Sequence, residues 1–261
     1  MGTVITLKGV NFKNPALPNI SPFVARSALL LGYSFQNRNF TDEVSSQLAR
    51  TFASPLKGTA TLSNTAPKST SDNLGVDINE ACIDAFINAY TLKADGSTPI
   101  TFMVVAGRNG ETLSSGQAAS PYLAPLINWG NTFDASAGLM LQFSSTGKFG
   151  VRYNNTDEGN VKVNDNGTQP AIYFVTYDGT SAWTVQNLTT GISATGTSAA
   201  ADMKAVSTEN PVQVGTKRTN DGTYLLPTNV YQVAAWAKVL SPTEISTQAA
   251  RTRKELSSLP L

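Results

Sequence analysis

The chain has 261 residues, enough for one large all-β domain or two small ones, with a core that needs no disulfides. Charged residues make up only 14% and the formal net charge is +1; with no long basic run, nucleic-acid and polybasic membrane-surface partners are excluded on electrostatic grounds. Histidine is absent and Cys82 is the single cysteine, which excludes Ser-His-Asp and Cys-His nucleophile systems, His-ligated zinc and an intrachain disulfide.

Residues 1–25 read as an extended strap. "VITLKGVNF" alternates with period 2, and Pro15, Pro18 and Pro22 keep the rest of the strap out of helix. Two readings stay open: an edge strand and linker wrapping their own domain, or an arm that docks on another chain. The opening residues lack a basic segment followed by a long apolar core, so no signal peptide is expected. No stretch approaches the roughly 20 apolar residues that span a bilayer. The chain is expected to be made and folded in a cytoplasm.

Residues 26–261 read as one domain. "SALLLGYSFQN" (27–37) is a continuous apolar run that fits a strand buried on both faces. The Ser/Thr/Pro/Lys-rich stretch from Ala49 to Asn73 reads as loop with short strand pieces. Segment 74–92 is ambiguous: Ile78, Cys82, Ile83, Phe86, Ile87 and Tyr90 share a helical face, while its β-branched content also suits strands. Strong strand signals come next at 99–107 and 121–130. "GLMLQFSSTGKFGVRYNN" (138–155) reads as a hairpin turning at Thr146-Gly147. "PAIYFVTYDGTSAWTVQNLTTG" (170–191) reads as another, turning at Asp178-Gly179. "PVQVG" (211–215) is a short strand and Val230–Leu240 the last one. "SPTEI" then begins a helix from about residue 242, with Ser241 as N-cap, Pro242 at the first position and Glu244 closing a capping box. Turn signals every 8 to 15 residues mean a sandwich or barrel rather than βαβ units.

An apolar last strand ending in Leu240, with Ser-Pro-x-Glu-Ile directly after it, resembles the end of laminin-G-like domains of the concanavalin A-like lectin/glucanase superfamily. "LLLGYSFQNRNFTDEVS", "PITFMVVAGR", the two hairpins and "PVQVGTKRTND" resemble the family's strands in the family's order, over roughly residues 28–250. The resemblance implies an all-β, two-sheet antiparallel jelly roll with a short C-terminal helix. It also makes 74–92 a strand rather than a helix. The glucanases' Glu-x-Asp-x-x-Glu strand has no match here, nor has the legume-lectin pattern of metal-binding acids with a histidine. The strap "VITLKGVNFKNP" resembles leaders on bacteriophage and prophage tail proteins that carry such a domain.

Candidate carbohydrate contacts are aromatic rings, which can cover the apolar face of a sugar, and amides or charges that bind hydroxyls. Trp129 and Asn131 stand at the end of one strand and Tyr153 and Asn154 at the end of another. Trp183 opens a strand, and is either a stacking platform or core. Arg218, Asn220, Asp221 and Tyr224 lie in a long loop where lectin-like sandwiches place specificity. Trp236, mid-strand, reads as packing, and Cys82 as a small buried hydrophobe. "VRYNNTDEGN" could bind calcium through oxygen ligands, although no calcium-loop spacing is present. No other cofactor and no catalytic residue is expected. The reading is a non-catalytic, tail-associated virion protein that recognises a bacterial surface glycan and contacts other virion proteins through its strap. It is expected to be a homo-oligomer such as a trimer. The alternatives are a structural virion protein of the same fold and a polysaccharide depolymerase.

Overall fold

Alternating and continuous apolar runs become strands because backbone groups buried with them must pair with neighbouring chain. The computed structural model describes residues 22–46, 50–53, 67–78, 81–85, 99–109, 123–129, 139–144, 146–153, 160–198, 212–215 and 228–261. In chain order the strands are β1 (Leu29–Ser34), β2 (Arg50–Ala53), β3 (Lys68–Ser69), β4 (Val76–Asp77), β5 (Ala81–Ala85), β6 (Ile100–Arg108), β7 (Leu123–Trp129) and β8 (Leu139–Ser144). Then come β9 (Lys148–Arg152), β10 (Val161–Asn164), β11 (Ala171–Tyr177), β12 (Ala182–Asn187), β13 (Ile192–Thr197), β14 (Val212–Val214), β15 (Thr228–Trp236) and the helix α1 (Pro242–Glu255).

These strands make a two-sheet antiparallel β-sandwich. One sheet runs β13-β12-β11-β6-β15-β4-β3, with β1 also paired to β15, and the other runs β10-β9-β8-β7-β14-β5-β2. The facing sides enclose one apolar core. Phe102, Val104, Val233 and Ala235 meet Leu139, Leu141, Phe143 and Phe149 there.

A second layer explains the continuous apolar runs. Along β6, Met103 and Val105 point away from the sandwich interior, yet both are buried. They lie in an outer cluster with Phe174, Ala234, Trp236, Leu240 and Ala249, beneath α1 and Phe23. A strand covered on both faces needs apolar residues at every position, whereas a half-exposed strand alternates. A register shift between Val230 and Gln232 turns consecutive residues outward, sending Tyr231 to the outer cluster and Gln232 to the helix.

The helix begins as its sequence dictates. Ser241 Oγ accepts the N–H of Glu244 at 3.3 Å, and Glu244 Oε2 accepts the N–H of Ser241 at 2.8 Å. Its inner face is polar and paired. Glu255 accepts from Ser34 Oγ at 2.7 Å and from Gln232 Nε2 at 2.8 Å, and Thr252 Oγ1 donates to Gln232 Oε1 at 3.0 Å. Gln248 Oε1 accepts the N–H of Val24 at 2.8 Å, and Trp236 Nε1 donates to the carbonyl of Val24 at 2.8 Å. The last residues of the strap are thus clamped into the body. Phe23 lies over Gly32, where a Cβ would stand 2.7 Å from its ring, so only glycine admits the contact.

Several expectations need correction. Within 74–92 the described residues form two short strands in different sheets, Val76–Asp77 and Ala81–Ala85, so helical periodicity misleads there and the strand expected from the resemblance is met in part; residues 86–92 lie outside the described residues. The last strand ends at Trp236, not Leu240: Thr101 Oγ1 donates to the carbonyl of Lys238 and accepts the N–H of Leu240, lifting those residues off the ladder. β10 and β13 have no counterpart among the strands expected from sequence. The strand expected near the N-terminus lies outside the described residues.

Candidate functional site

The antiparallel register sends the strand ends that flank the candidate residues to opposite ends of the sandwich. Trp129 closes β7, paired with Leu139 and Val212. Arg152 and Val161 bound the segment that holds Asn154, and they stand toward the same end. Gly215 and Thr228 bound the segment that holds Arg218, Asn220, Asp221 and Tyr224. Gly215 donates to the carbonyl of Leu126, on the way to Leu123, and Thr228 pairs with Arg108 at the other end. Asn131, Asn154, Arg218, Asn220, Asp221 and Tyr224 themselves lie outside the described residues.

At the first end Trp183 is a core residue and not a stacking platform. Its side chain is 0% exposed, and its ring stacks on Tyr177 at 4.5 Å and on Tyr153 at 5.2 Å between centroids. Its Nε1 donates to Ser198 Oγ at 2.9 Å, which satisfies the one polar atom of the indole. Tyr153 is also buried, with its hydroxyl donating to the carbonyl of Thr197 at 3.0 Å. Both corrections have one cause: these rings close the end of the sandwich where the hairpins splay. The turn above them is fixed by Asp178, whose Oδ1 accepts from the N–H groups of Thr180, Ser181 and Ala182 at 2.7 to 3.0 Å. Slight burial pushes its carboxyl up, but these N–H groups together outweigh that and hold it below the usual carboxylate range.

At the second end Arg108 terminates β6, the strand of "PITFMVVAGR". Its Nε lies 2.8 Å from Asp165 Oδ2, and its Nη2 donates to Asp165 Oδ1 at 3.2 Å, a two-pronged pair. The Arg108 side chain is 26% exposed and that of Asp165 4%. Asp165 Oδ1 also accepts the N–H of Gly167, while Arg108 N donates to the carbonyl of Gly167 and Asp165 N to that of Gly147. Asn166 N donates to the buried hydroxyl of Tyr173, whose pKa burial drives well above the ordinary tyrosine value. The hairpin tip at Gly147 and the loop 165–169 are thereby locked to the end of β6. Asn109, exposed, donates to Asp77 beside them.

This rim joins a partly exposed guanidinium, a fixed loop and exposed amides, a donor-rich surface able to bind hydroxyls or anionic oxygens. Its buried carboxylate, that of Asp165, is engaged by Arg108 and by the N–H of Gly167. Among the described residues no group of three or more His, Cys, Asp and Glu could hold a metal ion. Sequence reasoning missed Arg108. Its available signal was a single charge at the end of a long apolar strand, where a bare charge must either reach water or find a partner.

No family model matches the chain, and no curated protein matches it. Solved structures do. The binding domain of botulinum neurotoxin serotype D/C is similar over 87% of this chain and 53% of its own, with a TM-score of 0.57 and 11% identity. Botulinum neurotoxin type C, whose cell entry is dependent upon interaction with two ganglioside molecules, is similar over 87% and 51%, with a TM-score of 0.55 and 10% identity. A Trypanosoma rangeli sialidase mutant displaying trans-sialidase activity is similar over 89% and 34%, with a TM-score of 0.54 and 10% identity. The chain spans about half the length of the toxin chains and a third of the sialidase. At such identities the likeness is one of fold alone, a two-sheet β-sandwich.

Proposed function

We propose that the chain is a non-catalytic carbohydrate-binding module that recognises a bacterial surface glycan as part of a phage or prophage tail. The observation that carries the reading is the likeness of nearly the whole chain to lectin-like sandwiches, among them a neurotoxin that interacts with two ganglioside molecules. The resemblance of "LSPTEI" to the laminin-G-like ending and that of the strap, residues 1–25, to leaders of tail proteins support the tail setting. We assign the glycan contacts to the Arg108 rim, with Arg108 and Asn109 among the described residues and Arg218, Asn220, Asp221 and Tyr224 proposed from the sequence segment that Gly215 and Thr228 bound. Trp129, Asn131 and Asn154 are a second, weaker candidate group from the sequence. The fixed loop and hairpin tip provide a preorganised floor, so that little ordering cost is incurred on binding. Homo-oligomer formation would raise avidity without new contacts.

The test is a bacterial glycan array probed with the intact protein, with and without a calcium chelator. Selective binding is expected, and chelator sensitivity would add calcium to the site. Arg218→Ala with Tyr224→Ala should weaken that binding about tenfold or more while the fold is kept, and Trp129→Ala should change it little. A blank array from folded, assembled protein would reject the glycan reading in favour of a structural virion role. Release of reducing ends from a bacterial polysaccharide would overturn the non-catalytic assignment.

A further inference from the structure

We infer that β13 is a self-association edge, through which a second copy of the chain pairs antiparallel about a twofold axis. This extends the proposed function but does not rest on it. An open strand edge is a template for another chain, and proteins blunt such edges with charge, shortness or a covering loop. The other described edges show these devices. The N–H of Gly32 in β1 donates to Asp42, and its carbonyl accepts the N–H of Glu43, so a loop covers that edge. β3 is two residues long and begins with Lys68, β10 carries Lys162, and β2 begins with Arg50. β13 carries neither charge nor proline. Its sequence is Ile-Ser-Ala-Thr-Gly-Thr, and its only hydrogen-bonded strand partner among the described residues is β12, while β10 of the other sheet packs on its inner face at Gly196.

The ladder fixes which groups point outward. Ser198 N donates to the carbonyl of Ser181, so Gly196, Ala194 and Ile192 turn their backbone groups toward β12 and Ser193, Thr195 and Thr197 turn theirs away. The carbonyl of Thr197 indeed accepts an outside donor, the Tyr153 hydroxyl. Ser193 and Thr195 are exposed and make no side-chain or outward backbone bond among the described residues.

The strand is complementary to itself. With Ala194 opposite Ala194 of the second copy, Ser193 faces Thr195 at both flanking positions and each such pair exchanges two N–H···O bonds. Hydroxyl residues then sit opposite one another on the outer face, a favourable cross-strand pairing, and no like charges meet. On the inner face Ile192, 41% exposed and one of three exposed large apolar side chains among the described residues, comes opposite Gly196 and loses water contact.

Sedimentation equilibrium of the full chain should give twice the chain mass at micromolar concentration. Thr195→Pro removes an outward N–H that β12 does not use, and Ser193→Lys with Thr195→Lys places like charges opposite one another. Each variant should keep the wild-type circular dichroism and raise the dimer dissociation constant about tenfold or more. Mixing the Lys/Lys variant with a Ser193→Glu, Thr195→Glu variant should restore a dimer. A wild-type monomer, a trimer, or a dimer indifferent to these changes would overturn the assignment.

Discussion

Trp183 shows how a single residue type carries two opposite meanings. An aromatic at the start of a strand after a tight turn suits a sugar platform, but here Tyr153, Tyr177 and Ser198 take up its ring and its N–H. Replacing it leaves a large cavity in a body that cannot collapse around it. Trp183→Ala should therefore cost roughly 3–5 kcal/mol in urea unfolding. A variant of wild-type stability with lost glycan binding would return Trp183 to the site. Arg108 presents the converse case: one charge at the end of an apolar strand becomes the organiser of a rim because Asp165 meets it with both oxygens.

At the scale of an element, α1 is the most self-contained piece of the fold. Its start is written in four residues, and Ser241→Ala should destabilise the protein by about 1 kcal/mol through loss of the cap. Glu244 adds a pH signature. The hydrogen bond from Lys238, with that from the Ser241 N–H, holds its carboxyl below the ordinary value of 4.5. The folded state thus binds this proton less tightly than the unfolded one. The contribution is present above about pH 4.5 and is lost as pH falls through the lowered folded value. Glu244→Gln should flatten that part of the acid limb of a stability–pH curve relative to wild type; an unchanged limb would show that the capping pair does not contribute. β13 is the opposite kind of element: small uncharged residues, no strong pattern, and a place in the sheet supplied by the β12 hairpin.

For the whole molecule, the decisive feature is a third layer. The helix and residues 22–25 cover the outer face of the larger sheet, so the described end of the strap is part of the fold. On the reading of residues 1–25 as an anchoring strap, removal of residues 1–21 should abolish particle incorporation while leaving the melting temperature unchanged. Removal through residue 25 takes Phe23 off Gly32 and the carbonyl of Val24 off Trp236. That should lower the melting temperature by on the order of 10 °C. A thermal shift assay on the two truncations separates anchor from fold, and equal melting temperatures would mean that the clamp contributes nothing.

Local chemistry was legible in the sequence. The hairpin turns at Thr146-Gly147 and Asp178-Gly179, the capping box at Ser241 and the apolar strand at 99–107 depend on neighbouring residues and stand in the structure as expected, while the strand read over 27–37 is confined to Leu29–Ser34. The strand at 81–85 depends on partners far away in the chain, Arg50–Ala53 and Val212–Val214, and its own periodicity was misleading; those at 161–164 and 192–197 pair with the strands just before them, but their own pattern was weak. Which aromatic is core and which is rim is also settled by register, because a residue's exposure depends on what the other sheet places opposite it. Thus Tyr153 and Trp183 went inside and Arg108 acquired Asp165. The sequence by itself determined the all-β class, the turns and the terminal helix, through short-range sterics and capping; the tertiary structure alone decided the double burial of the larger sheet and the locked rim, because those arise from long-range pairing that no local pattern encodes.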